Sequence, residues 1–159
     1  MAYNVLDVCR HVINYSNNKD YGISNLKLQK ILYFIQAYFL ICTNAPCFLE
    51  RIEAWDLGPV VPEAYREYKQ FGSGDIPTVT HIVVFDEDNI WDSIIREYKD
   101  NIITDTDKVL IEAVVDKFSD YSATDLVSIT HRQAPWKRVY HRGRNNEITL
   151  DSIKEYFHG

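Results

Sequence analysis

Ile23-Ser24-Asn25-Leu26-Lys27-Leu28-Gln29-Lys30-Ile31-Leu32-Tyr33-Phe34-Ile35-Gln36-Ala37-Tyr38-Phe39-Leu40 is the stretch around which the rest of the chain must be arranged. It reads as a helix with a defined start. Ser24 is a suitable N-cap, since its hydroxyl can accept from a backbone N–H that the first turn leaves unpaired. Ile23 before the cap and Leu28 in the second turn form a hydrophobic staple. Leu28, Ile31, Leu32, Ile35 and Phe39 recur at three- and four-residue spacing. Tyr33, Phe34, Tyr38 and Leu40 occupy the opposite side, and a helix apolar nearly all round is buried on most sides. Gln29, Lys30 and Gln36 are then the informative residues, because a buried polar group needs a partner.

The remaining elements are read outward from this helix. Upstream, residues 3–18 suggest a first helix with Val5, Val8, Val12 and Tyr15 on one face, ending in a polar turn where Gly22 suits an unusual backbone angle. The central helix fades near Pro46. Residues 51–57 alternate polar and apolar, as a short strand does, and run into Gly58-Pro59-Val60-Val61-Pro62, an ordered corner. Pro62 fits the first position of the next helix, residues 63–71, which Gly72 closes. Residues 79–85, rich in β-branched side chains, suggest a second strand pairing with the one near Trp55. An acidic turn at residues 86–89 precedes an expected helix over 91–99.

The last third carries stronger start signals. Thr104 and Asp107 have capping-box spacing ahead of an apolar stripe of Val109, Leu110, Val114 and Phe118. Ser122 and Asp125 have the same spacing, with Tyr121 and Leu126 as a staple, and open a helix over residues 123–131. Thr149, with Ile148 and Ile153, opens a closing helix that runs to Phe157. The expectation is a mainly α fold: one compact helical domain spanning residues 1–159 around a buried central helix, with a short two-stranded β element.

Composition narrows the function. At 159 residues and 46% hydrophobic, the chain can bury a proper core. A net charge of −6 argues against a general nucleic-acid coat. Cys9, Cys42 and Cys47 form an odd set without a CxxC pair, which fits a reducing cytoplasm, and Cys9 and Cys42 read as small core residues. Asp7 and Arg10 interrupt the first apolar residues, so no signal peptide is expected. The apolar run at residues 31–42 is too short to span a bilayer. No cofactor, metal or membrane partner is expected. The five histidines are scattered, and there is no HExxH, GxSxG, P-loop or dinucleotide fingerprint.

One segment departs from the acidic background. Of 17 lysines and arginines, five (Arg132, Lys137, Arg138, Arg142 and Arg144) fall in residues 131–144, leaving 12 against all 23 acids elsewhere. His131, His141, Trp136 and Tyr140 are interleaved with them. These cations either pair with acids on neighbouring helices or form a surface for an acidic protein or RNA. Arg132, Lys137, Arg138 and Arg142 are the candidate partner contacts, with Trp136 as their anchor. The Trp55–Tyr65 motif reads as a structural corner anchored by Trp55, with Tyr65 and Arg66 able to serve a partner.

Three motifs in order then carry a resemblance. Residues 23–33, the corner W-D-L-G-P-V-V-P-E-A-Y at 55–65, and Ser122-Ala123, Leu126, Thr130-His131 and Pro135-Trp136 are together similar to the signatures of the Panacea, SocA-like antitoxin family, also known from phage-associated proteins. Ser24, Leu28, Gln29, Lys30, Trp55, Gly58, Pro59, Pro62, Tyr65, Ser122, His131 and Pro135 are the motif positions, mainly structural. The resemblance implies a non-enzymatic, cytoplasmic antitoxin of a type II toxin–antitoxin pair that binds and neutralises a cognate protein toxin encoded beside it. It implies as an alternative an adaptor that delivers a toxin to a cellular protease. A third reading from the residues is RNA binding through the basic segment.

Overall fold

A computed structural model describes residues 2–84, 94–97 and 102–158. The described chain is mainly helical. Its elements run α1 (Val5–Asn18), α2 (Asn25–Thr43), β1 (Ile52–Trp55), β2 (Gly58–Val60), α3 (Pro62–Tyr68), a 3₁₀ turn (Lys69–Phe71), β3 (His81–Val84), β4 (Ile94–Glu97), α4 (Asp105–Lys117), α5 (Ala123–His131), α6 (Ala134–Lys137), β5 (Asn146–Ile148) and α7 (Leu150–His158). None of these helices is long and apolar enough to cross a membrane.

The expected centre holds. Ser24 caps α2 by accepting from the Lys27 N–H, and Asn44 ends it in the left-handed conformation at φ 57°. Every residue from 28 to 37 is buried, and α1, α3, α4, α5, α7 and β2 all pack on this one helix. Each fully buried Leu, Ile or Phe contributes about 1.5–3 kcal/mol relative to exposure. α2 thus holds much of the hydrophobic stabilisation, and few of its positions are left to face water.

Tyrosine hydroxyls tie α1 and the residues on either side of it to α4. Tyr3 donates to Asp107 (2.5 Å), and Tyr15 and Tyr21 both donate to Asp116. The first bond explains an incomplete cap: Thr104 accepts from the Asp107 N–H, while the Asp107 carboxylate is drawn to Tyr3 instead of folding back. At α5 the reciprocal box between Ser122 and Asp125 is complete. Gly22 does take a positive φ, 66°.

Several expectations are corrected. β3 pairs with β4, not with the strand near Trp55. The helix expected over 91–99 is replaced, in its described part, by the strand Ile94–Glu97, whose Ile-Ile-Arg-Glu run satisfies a ladder as readily as a helical turn. The acidic turn at 86–89 lies outside the described residues. Of the expected α4 stripe, Val114 and Phe118 are buried, but Val109 is 67% exposed, and Ile111 and Val115 are buried beside them. Cys42 is exposed, whereas Cys9 and Cys47 are buried. The Gly58-Pro59-Val60 piece is a strand as well as a corner, and β5 joins the same sheet, so the β element is three-stranded and antiparallel in the order β2-β1-β5.

Candidate functional site

The polar residues of α2 meet the outer edge of β2. The Gln29 Oε1 accepts from the Val61 N–H (3.0 Å), and its Nε2 donates to Asn25 Oδ1 (2.9 Å). Asn25 in turn donates to the Tyr65 carbonyl (3.1 Å). Lys30, fully buried, donates from Nζ to the Pro59 carbonyl (3.0 Å). Burial alone pushes the Lys30 ammonium down to about 7. Side chains of a helix therefore close a sheet edge that would otherwise bury unpaired backbone groups. Gln36 does the same for another segment, accepting from the Cys47 N–H and donating to the Phe48 carbonyl, both at 2.7 Å.

Gly58 is where this packing is tightest. Its φ is 106°, and a Cβ there would meet Lys30 Cε at 2.7 Å and Thr130 Oγ1 at 2.8 Å. Only glycine combines that backbone angle with that approach. The first, second and third motifs converge at this point.

The third motif also grips the turn between β1 and β2. His131 Nε2 lies 2.9 Å from the Asp56 carbonyl, Trp136 Nε1 donates to the Trp55 carbonyl (2.8 Å), and the Tyr140 hydroxyl donates to the Asp56 carboxylate (2.5 Å). That last bond holds the Tyr140 phenol above its usual pKa. Trp136 stacks on His131 at 4.1 Å and on Tyr140 at 4.3 Å between ring centroids. Pro135 is buried at the start of α6, and the buried Gln133 accepts from the Tyr33 hydroxyl on α2 (2.8 Å). Trp136, expected as an anchor for a partner, is thus engaged within the chain.

The cations of the same segment stay outside. Arg132, Lys137, Arg138, Arg142 and Arg144 are all exposed, and among the described residues none of them forms a salt bridge. They do not form one cluster. Arg138 borders a shallow depression with Ser152, Glu155 and Tyr156 of α7. Arg142 is close enough to Tyr140 to act on its hydroxyl. Arg144 lies on a different feature, an open groove of about 540 Å³ whose lining includes Leu26, Trp55, Leu57, Val60 and Tyr65.

The turn around Gly143 and Asn145 forms one wall of that groove. Tyr65 is half-buried there, edge-on to Trp55 at 5.0 Å. The sequence reading singled out Trp55, Tyr65 and Arg144 but missed Leu26 and Leu57. Leu57 carried a signal in retrospect: a large apolar residue in a two-residue turn has little chance of burial, and here it is 54% exposed. Among the described residues, no group of His, Cys, Asp and Glu is placed to hold a metal ion.

Comparison with known proteins places the chain in a family. Antitoxin SocA of Caulobacter vibrioides (strain NA1000 / CB15N) is 33% identical over 127 residues, covering 74% of this chain; the chain spans 60% of that relative's length. No solved structure matches. The family model for the SocA-like antitoxin, Panacea domain, matches residues 28–137, which hold most of the first motif and the whole of the second and third. The chain belongs to the SocA-like antitoxin family defined by the Panacea domain.

Proposed function

We propose that this chain is the antitoxin of a type II toxin–antitoxin pair and neutralises a cognate protein toxin by binding it directly. Supporting this reading beside family membership is one observation above others: Arg132, Lys137, Arg138, Arg142 and Arg144 stand exposed, without a salt bridge among the described residues, on a segment whose other side is locked to the corner. Exposed cations on an immobilised backbone suit an acidic protein surface, because the backbone ordering cost is already met before binding. Single-stranded nucleic acid is held by bare ring faces, and here Trp136 is already stacked on His131 and Tyr140. The protein partner is favoured for that reason.

Co-expression with the product of the adjacent open reading frame tests the proposal. That product should arrest growth alone and lose its toxicity when this chain is co-produced. A harmless neighbour, or one that stays toxic beside soluble chain, sinks the idea. Charge reversal at Arg132, Lys137, Arg138 and Arg142 together should weaken the complex without unfolding the protein. If the neighbour's half-life falls whenever this chain is present, delivery to a protease replaces direct neutralisation.

A further inference from the structure

The groove beside β1 and β2 has a chemical character that the basic segment as a whole lacks. Its apolar surface comes from Leu26, Trp55, Leu57, Val60 and Tyr65. Its deepest polar residue, Gln29, has both ends of its amide committed, to the Val61 N–H and to Asn25. Gln29 thus leaves no free end of its amide at the floor to orient a polar small molecule, and most of the surrounding surface is apolar. What fits there is an apolar side chain.

The rim carries a cation, Arg144, and an acid, Asp56. Arg144 forms no salt bridge among the described residues. The acid at the rim, Asp56, is already engaged by the Tyr140 hydroxyl. Leu57 completes the picture: it stands in the turn at the lip, 54% exposed, and continues the apolar lining outward to where a partner's side chain could cover it.

We infer that this groove is the seat of a protein partner's anchor: a large apolar side chain enters against Trp55, Leu57 and Tyr65, and a carboxylate next to it in the partner's sequence meets Arg144. The inference rests on the antitoxin reading and names the part of the surface that carries it. An apolar anchor in a pocket, framed by charged contacts, is the usual composition of an interface hot spot. The corner presents it rigidly, since Trp136 holds the end of β1, Lys30 holds β2 and Gln29 holds the residue that follows β2.

The test uses the full chain and the purified product of the adjacent open reading frame, with binding followed by calorimetry and neutralisation by growth rescue. Leu57→Asp and Arg144→Glu should each weaken the dissociation constant at least tenfold (about 1.4 kcal/mol) and impair rescue. Lys69→Glu, the same charge change at the 3₁₀ turn, should stay within twofold. Neither groove substitution touches a buried group, and circular-dichroism melts should confirm that both variants fold as the parent does. The Arg144→Glu defect should shrink as salt is raised, whereas the Leu57→Asp defect should not. If the parent binds and rescues but both variants match it within twofold, the groove is not the seat, and the antitoxin reading stands with another surface. A parent that neither binds nor rescues removes both. Binding of a single-stranded RNA probe instead, lost in Arg144→Glu, would overturn the inference in favour of nucleic acid.

Discussion

The inward and outward sides of residues 131–144 make opposite use of one short sequence. Inward, His131, Trp136 and Tyr140 spend their polar atoms on the Trp55 and Asp56 carbonyls and the Asp56 carboxylate. Outward, Arg132, Lys137, Arg138, Arg142 and Arg144 spend none of their charge on a salt bridge among the described residues. The aromatic half fixes the backbone, and the cationic half is held in place without being used. The difference teaches that basic-plus-aromatic composition need not describe a single surface. Here it describes a clamp and a display, back to back.

Substitutions can break that contrast, and the largest effect should come from where all three motifs meet. Gly58→Ala forces a Cβ toward Lys30 and Thr130 at a φ of 106°. Strain and overpacking together should cost about 2–4 kcal/mol. A thermal midpoint within roughly 2 °C of the parent would show that the junction can yield, given that each kcal/mol moves a chain of this size by about 2–4 °C. Gln29→Leu comes next. It leaves the buried Val61 N–H without its acceptor, a loss of about 1–3 kcal/mol, measurable by urea denaturation. An unchanged midpoint would mean that another group closes the sheet edge.

Lys30 sharpens the contrast by pH. Its ammonium is pushed down to about 7 in the folded chain from the ordinary 10.5. Between those values the unfolded chain holds a proton that the folded chain has released, so folding gains as pH rises through the window. Below pH 7 both states are protonated and the full burial cost remains. The gap in stability between the parent and Lys30→Met should therefore widen in the parent's favour between pH 7 and 10. It should do so by up to about 1.4 kcal/mol per pH unit, and be flat below 7. A gap independent of pH across that range would contradict a neutralised lysine.

The smallest expected effect lies only two residues from a large one. Trp136→Ala removes a half-buried ring, two stacks and the bond to Trp55, for a loss of about 2–4 kcal/mol. Arg138→Ala removes an exposed cation and should stay within about 0.5 kcal/mol. If thermal melts ranked Arg138→Ala as the less stable of the two, the clamp and the display would have been assigned the wrong way round.

Legibility followed the range of the interactions. The caps at Ser24 and Ser122 and the burial of α2 could be read directly, because capping and helical periodicity act within a few residues. The partnership of Gln29 and Lys30 with the corner was legible only as a need, since buried polar groups require partners. Gln36 had the same need, and its partners at Cys47 and Phe48 could not be foreseen. The helix expected over 91–99 failed where a strand appears at Ile94–Glu97, because pairing with β3 outweighs a weak local preference. Val109 and Cys42 failed for a related reason: an apolar residue in a helical stripe is buried only if a neighbour arrives to cover it.

By itself, then, the sequence determined what is local or obligatory: where the helices start, which helix lies at the centre, and that α2 carries polar groups that something must satisfy. It also carried family membership, through three ordered motifs. Tertiary structure alone decided that β5 completes the sheet, that Trp136 turns inward, and that Leu26, Leu57 and Arg144 share one groove. Those residues are far apart in sequence, and no propensity or spacing rule links them. Their proximity is set by the packing of whole elements on α2, in which many small, non-directional burial terms act together.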